Sequence, residues 1–228
     1  MGCQSSRIPE SSQEEIIVGQ AESLLSLTKL NSETIDKAFS RFSNGVNSGP
    51  HELKESLASL GIDNSFMEDS QSPINKFFGS LKVVEENLYP VKALCCLGIL
   101  LGKGTPHKKA NLMFQNYDRD CSGYIDKEEL ANMIYDIHHI SLGLVQLAIE
   151  FFKAKKLKNY KSELESARPF SENALKLMLI SGMENYEIGK QEFVSKFSSK
   201  EIRKCTSASG YRLFCLEFLN AGKLYNLI

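Results

Sequence analysis

The 228-residue chain has no tryptophan, and none of its six cysteines forms a Cys-x-x-Cys pair. No hydrophobic signal segment precedes those cysteines, so reduced thiols in the cytosol are expected. An excess of positive charge is also missing: 27 basic side chains against 28 acidic ones leave a net charge of −1. With no overall basic field, nucleic-acid binding is set aside. The longest apolar run, Val91 to Leu101, is about half of the roughly 20 residues needed to cross a bilayer and reads as a buried helix. No nucleophile with a base, phosphate-binding glycine loop or catalytic carboxylate pair stands in a supporting context, which argues against an enzyme. What the chain does have is 42% hydrophobic content, enough for a real core in one or two domains.

One stretch concentrates unusual chemistry. In YDRDCSGYIDKEEL, residues 117–130, Asp118, Asp120, Ser122, Asp126 and Glu129 gather around Gly123. Carboxylates held this close repel one another unless a cation joins them. The spacing from Asp118 to Glu129 fits the twelve-residue EF-hand calcium loop. Asp118, Asp120 and Ser122 would supply side-chain oxygens and Tyr124 a backbone carbonyl. Asp126 would act through water and Glu129 with both carboxylate oxygens, while Gly123 permits the sharp turn. The flanks support this independently. Ala110, Met113, Phe114 and Tyr117 share one face of an entering helix, and Leu130, Met133, Ile134 and Ile137 one face of an exiting helix. A solvated acidic turn is the bland alternative, and it needs all these features to coincide.

Such a unit needs a partner to pair with Ile125 and to cover its helices, and three weaker units supply candidates. The first has Ile35, Ala38, Phe39 and Phe42 entering and Leu53, Leu57 and Leu60 leaving, around SNGVNSGPHE. That loop is about two residues short and lacks an acid before Glu52, so it should not hold calcium. The second has Ile74, Phe77, Phe78 and Leu81 entering and Ala93, Cys96, Leu97 and Leu100 leaving, around KVVEENLYPVK. It offers no carboxylate at its first or last position, and Pro90 disturbs its spacing. The last, SGMENYEIGKQEF, puts Ile188 and Glu192 at the eighth and twelfth positions from Ser181, with Met183 and Asn185 where aspartates belong. Ile188 should face Ile125 in a short antiparallel bridge. The charged run KAKKLKNYKSELESARP between the last two units reads first as a solvated helix or linker and second as a binding patch.

The start, MGCQSS, fits an N-myristoylation pattern, with Gly2 exposed once Met1 is removed, Ser6 in place and Cys3 open to palmitoylation. One myristoyl chain gives only marginal attachment, and Arg7 is the single base in the first twenty residues. Durable tethering would then need both acyl groups. Residues 4–20 read as a flexible tether, with the folded part beginning near Glu22.

At the loop 118–129 and the MGC start, the chain resembles the EF-hand superfamily, in the layout of neuronal calcium sensor, calcineurin B and calcineurin B-like proteins. The resemblance implies an all-α fold of two lobes of paired helix-loop-helix units with short β bridges. The expected divisions are an acylated tail at 1–21, a degenerate lobe at 22–102, a lobe with one intact hand at 103–200, and a helical extension at 201–228. It further implies one Ca2+ site and a sensor or adaptor on the cytoplasmic face of a membrane. Calcium would reorient the helices to open an apolar groove for an amphipathic helix of a kinase, phosphatase, cyclase or channel. Phe39, Phe42, Phe77, Phe78, Met113 and Phe114 serve either as that groove's lining or as plain core. A structural subunit with little switching is the alternative. His138, His139 and the cysteine pair Cys95 and Cys96 read as structural. The apolar end, from Tyr211 to Leu219, reads either as an ordinary packed helix or as one that fills the groove until a target displaces it, and in the second case deleting residues 205–228 should raise target affinity.

Overall fold

The computed structural model describes residues 12–224 apart from 44, 84 and 182–186, and side chains as far as residue 219. The acylation candidates Gly2 and Cys3, with Ser6 and Arg7, therefore lie outside the described residues, as do Met183 and Asn185. The described chain is all-α, with ten α-helices and two short antiparallel strand pairs.

Helix α1 (Gln13–Leu24) begins where Ser12 caps it, its hydroxyl accepting the Glu15 amide at 3.4 Å. The expected tether thus ends earlier than residue 20. The reason lies in the face that α1 buries: Val18 and Ala21 lie beside two carboxylates, Glu15 and Glu22, a pattern that reads as solvent-facing from sequence.

Helices α2 (Ser32–Arg41) and α3 (Pro50–Ser59) flank strand β1 (Asn47–Ser48), and α4 (Pro73–Gly79) and α5 (Val91–Leu101) flank β2 (Tyr89–Pro90). Asn47 faces Pro90 and Ser48 faces Tyr89. The apolar spacing of each segment explains its helix, since Ile35, Phe39, Leu53, Leu57, Phe77, Phe78 and Leu94 are all buried. Pro50 and Pro73 open their helices at a position that needs no amide donor. Where α2 crosses α5, a Cβ added to Gly98 would fall 2.5 Å from Ile35 Cγ2, so the missing side chain lets the helices touch.

The second half repeats the arrangement on a larger scale. Helix α6 (Pro106–Tyr117), β3 (Tyr124–Ile125) and α7 (Lys127–Phe152) are followed by α8 (Leu157–Ile180), β4 (Ile188–Gly189) and α9 (Lys190–Phe197). Ile125 faces Ile188 and Tyr124 faces Gly189, the register that the two isoleucines suggest. The charged run read first as a solvated helix or linker forms the α7–α8 turn and the first half of α8. Its buried residues, Leu157, Tyr160, Leu164 and Ala167, repeat every three or four positions. Pro169 sits inside this helix on an exposed face.

Helix α10 (Ala208–Leu224) packs on α8 and α7 and reaches α1 through Arg212. The Arg212 guanidinium is fully buried. It donates from Nε to Glu15 Oε1 at 2.7 Å, and from Nη2 to Glu15 Oε2 and Glu22 Oε1 at 2.8 Å each. Tyr160 of α8 adds a hydroxyl to Glu15. Lys109 of α6 is buried nearby, donating to the carbonyls of Leu100 and Thr206 at 3.4 and 3.1 Å. Burial, partly countered by the Glu22 charge, lowers its pKa to about 8.

One apolar cluster runs through residues on both sides of the expected 102/103 division. Phe77 of α4 lies against Gly143 of α7, where an added Cβ would meet its ring at 3.1 Å. Of the six residues that serve as groove or core, Phe39, Phe77, Phe78, Met113 and Phe114 are buried core. Only Phe42 is partly exposed, under the Arg41 guanidinium. The C-terminal segment, expected as a groove filler or an ordinary packed helix, is packed in place, with Cys205, Tyr211, Phe214, Cys215 and Leu219 all buried.

Candidate metal centre

Helix α6 ends at Tyr117, which hands the chain to the acidic loop, and α7 takes it back at Lys127. Asp126 caps α7, its Oδ1 accepting the amides of Glu128 and Glu129 at 2.8 Å each. Glu129 returns the contact by accepting the Asp126 amide at 3.1 Å, completing a reciprocal capping box. Its other oxygen accepts the Arg119 amide at 2.9 Å. One carboxylate, from the first turn of α7, thus spans both ends of the loop.

The loop interior is polar. Ser122 Oγ lies 3.4 Å from Asp118 Oδ1 and 3.1 Å from the Tyr124 carbonyl oxygen, bringing three of the expected oxygen donors together. Asp118 Oδ2 accepts the Gly123 amide at 3.2 Å, and Asp120 accepts the Ser122 amide at 3.0 Å. The Ser122 amide and hydroxyl hold the Asp120 carboxyl below its usual pKa. Gly123 has φ of 83°, a left-handed turn that favours glycine, and Cys121 takes the same region at 57°. Five acidic and two basic side chains occupy residues 118–129. The backbone amides stabilise that excess negative charge only in part.

Donors of this kind fit a hard cation such as Ca2+, which prefers oxygen from carboxylate, hydroxyl and carbonyl groups. Among the described residues, no three histidine, cysteine or acidic side chains gather at a single point. The convergence in the loop is instead a mixed set in which hydroxyl and carbonyl oxygens join the carboxylates.

The neighbouring loop braces this one. The Lys190 amide donates to the Gly123 carbonyl at 3.3 Å, and the exposed Tyr124 ring covers Gly189, where an added Cβ would meet it at 3.4 Å. Beneath the loop, the Tyr117 hydroxyl donates to Asp136 Oδ2 at 2.7 Å and joins the two flanking helices. Phe114 and Phe193 meet edge to face and tie α6 to α9. The Tyr117 to Asp136 bond was not evident from sequence, although a tyrosine at a helix end with an acid on the buried face of the next helix is the signal for it.

The two upstream loops meet where Asn47 donates to Glu86 at 3.2 Å, and within the second loop Lys82 donates to Asn87 at 2.7 Å. His138 is buried with Nδ1 3.3 Å from the Tyr211 hydroxyl, and His139 Nε2 lies 2.8 Å from the Ser80 carbonyl. Both pair away from the acidic loop. Burial, helped by the Arg168 and His139 charges, lowers the His138 pKa to about 4. Cys95 and Cys96 are buried, and burial raises their thiol pKa values. No helix among the described residues is long and apolar enough to cross a membrane.

No family model matches the chain, and no solved structure matches it significantly.

Proposed function

We propose that this chain is an EF-hand-type calcium-binding protein with one site. Asp118, Asp120, Ser122, the Tyr124 carbonyl, Asp126 and Glu129 would hold the ion. A bound divalent cation supplies positive charge to a loop whose acids outnumber its bases. The observation that carries the reading is the approach of Ser122 Oγ to both Asp118 and the Tyr124 carbonyl, with Glu129 bridging the loop's ends. Antiparallel pairing of Ile125 with Ile188, and the packing of α6 on α9 and α7 on α8, support two hands sharing one lobe. Strands β1 and β2 support the same relation between the two silent hands.

In this reading the protein is a sensor or adaptor held at a membrane by acylation of Gly2 and Cys3. It would regulate a partner protein by gripping one of the partner's amphipathic helices. The alternative, a structural subunit with little switching, draws support from the closed core and from the Tyr117 to Asp136 bond that ties the two loop-flanking helices. Calorimetric titration of lipid-free protein decides the first point. The expected result is one calcium site in the native chain and none in Glu129→Gln, and no binding heat or terbium emission from Tyr124 would refute it. Dye binding with calcium and with chelator decides the second, because a sensor changes its exposed apolar surface and a structural subunit does not.

A further inference from the structure

The turn between α7 and α8 exposes a combination that the candidate calcium site does not use. Phe151 and Phe152 are 42% and 39% exposed, their rings packed edge to face on each other at 5.1 Å. Directly after them Lys153 takes a left-handed conformation, with φ of 53°, and ends α7. Lys155, Lys156 and Lys158 follow on the turn and the first turn of α8, and all four lysines are exposed. Residues 151–162 contain no acid. Among the described residues, none of these four lysines has a carboxylate partner. Leu157 and Tyr160 are buried beneath them, so the turn is anchored while its tip remains in solvent.

We propose that this turn is a docking surface for an anionic lipid bilayer. Exposed phenylalanines enter the boundary between headgroups and acyl chains, and lysines beside them pair with anionic headgroups. Its position favours a membrane over an acidic protein segment. The bond from Tyr160 to Glu15 sets the first turn of α8 against the first turn of α1. The start of α1, the helix that follows the candidate acylation segment in sequence, therefore lies beside the turn, and Ile16, 53% exposed, is next to Glu15 in sequence. A single acyl chain needs a second signal for durable attachment. The first twenty residues lack a basic cluster, and the fold supplies one from more than a hundred residues away. The choice of a membrane over an acidic protein rests on the tethered reading, while the surface itself acts without acylation.

The test uses full-length protein made without acylation, in chelator, so that neither lipidation nor calcium contributes. Vesicles of phosphatidylcholine are compared with vesicles containing about 30% phosphatidylserine. The protein should sediment with the anionic vesicles, not with the neutral ones, and should release as salt rises. Each lysine near an anionic surface strengthens association about fivefold. The exposed triple variant Lys155→Glu, Lys156→Glu, Lys158→Glu should therefore lose about a hundredfold or more, with an unchanged melting temperature. Phe151→Ser with Phe152→Ser should weaken binding while the remaining salt dependence persists. Equal binding to both vesicle types, or full binding by the triple variant, would overturn the proposal. So would indifference to both vesicle types, which would point to an acidic protein partner instead. None of these outcomes bears on calcium binding, which is measured separately at Glu129.

Discussion

Replacing Arg212 with methionine should be among the most damaging single changes in this chain. The guanidinium is 1% exposed and holds Glu15 and Glu22, whose side chains are 5% and 12% exposed. Methionine keeps the apolar packing of α10 on α8 but leaves two buried carboxylates without the guanidinium that hydrogen-bonds both. Removing one partner from such a group costs about 3–5 kcal/mol. For a chain of this size about 1 kcal/mol moves Tm by roughly 2–4 °C, so a fall on the order of 10 °C is expected. Urea and thermal denaturation at neutral pH and fixed calcium measure it. The control is Glu15→Gln, Glu22→Leu and Arg212→Met together, which removes all three charges and should recover most of the loss, because an intact buried ion group is nearly neutral overall. A single variant within about 1 kcal/mol of the native protein, or a triple variant no better than the single one, would refute the claim that this group clamps α1 to α10.

His138 gives a pH signature. Its folded pKa of about 4 lies below the ordinary 6.5, so the unfolded chain binds the extra proton between these values. Stability should be full above pH 6.5 and fall as pH drops toward 4, by at most about 3 kcal/mol from this group. His138→Phe should flatten that part of the native curve, and parallel curves would refute the assignment. Lys109, with a folded pKa of about 8, acts at the alkaline end: stability should rise from about pH 8 toward 10 relative to Lys109→Met. Equal slopes for the two proteins in paired urea melts would contradict this. At the α2–α5 crossing, Gly98→Val drives a side chain into Ile35 and should cost about 1–3 kcal/mol in the same assay. Truncation before Cys205 should abolish cooperative unfolding, since it removes Arg212 and a buried apolar helix face. Retained two-state melting would show that α10 is dispensable.

The contrast between α6 and α1 explains what could be read beforehand. Ala110, Met113, Phe114 and Tyr117 announce a buried face by their spacing, and the acidic loop after them carries its own chemistry in contiguous residues. The Ile125 to Ile188 pairing was legible because both isoleucines hold the same place in similar units. Helix α1 hides for the opposite reason. Half of its buried residues are Glu15 and Glu22, and their partner lies 197 and 190 positions away, beyond any local pattern. The same holds for the groove: spacing marked Phe39, Phe77 and Phe114 as inward-facing, yet what covers them depends on how the two halves pack, which periodicity does not encode.

The clamp between α1 and α10 also orders events during synthesis. Helix α1 emerges from the ribosome early, yet the arginine that neutralises its carboxylates is made almost two hundred residues later. At translation speeds of roughly 5–20 residues per second, the first helix waits on the order of ten to forty seconds for its seat. For that interval Glu15 and Glu22 of the first helix stay without the guanidinium that later holds them in the core.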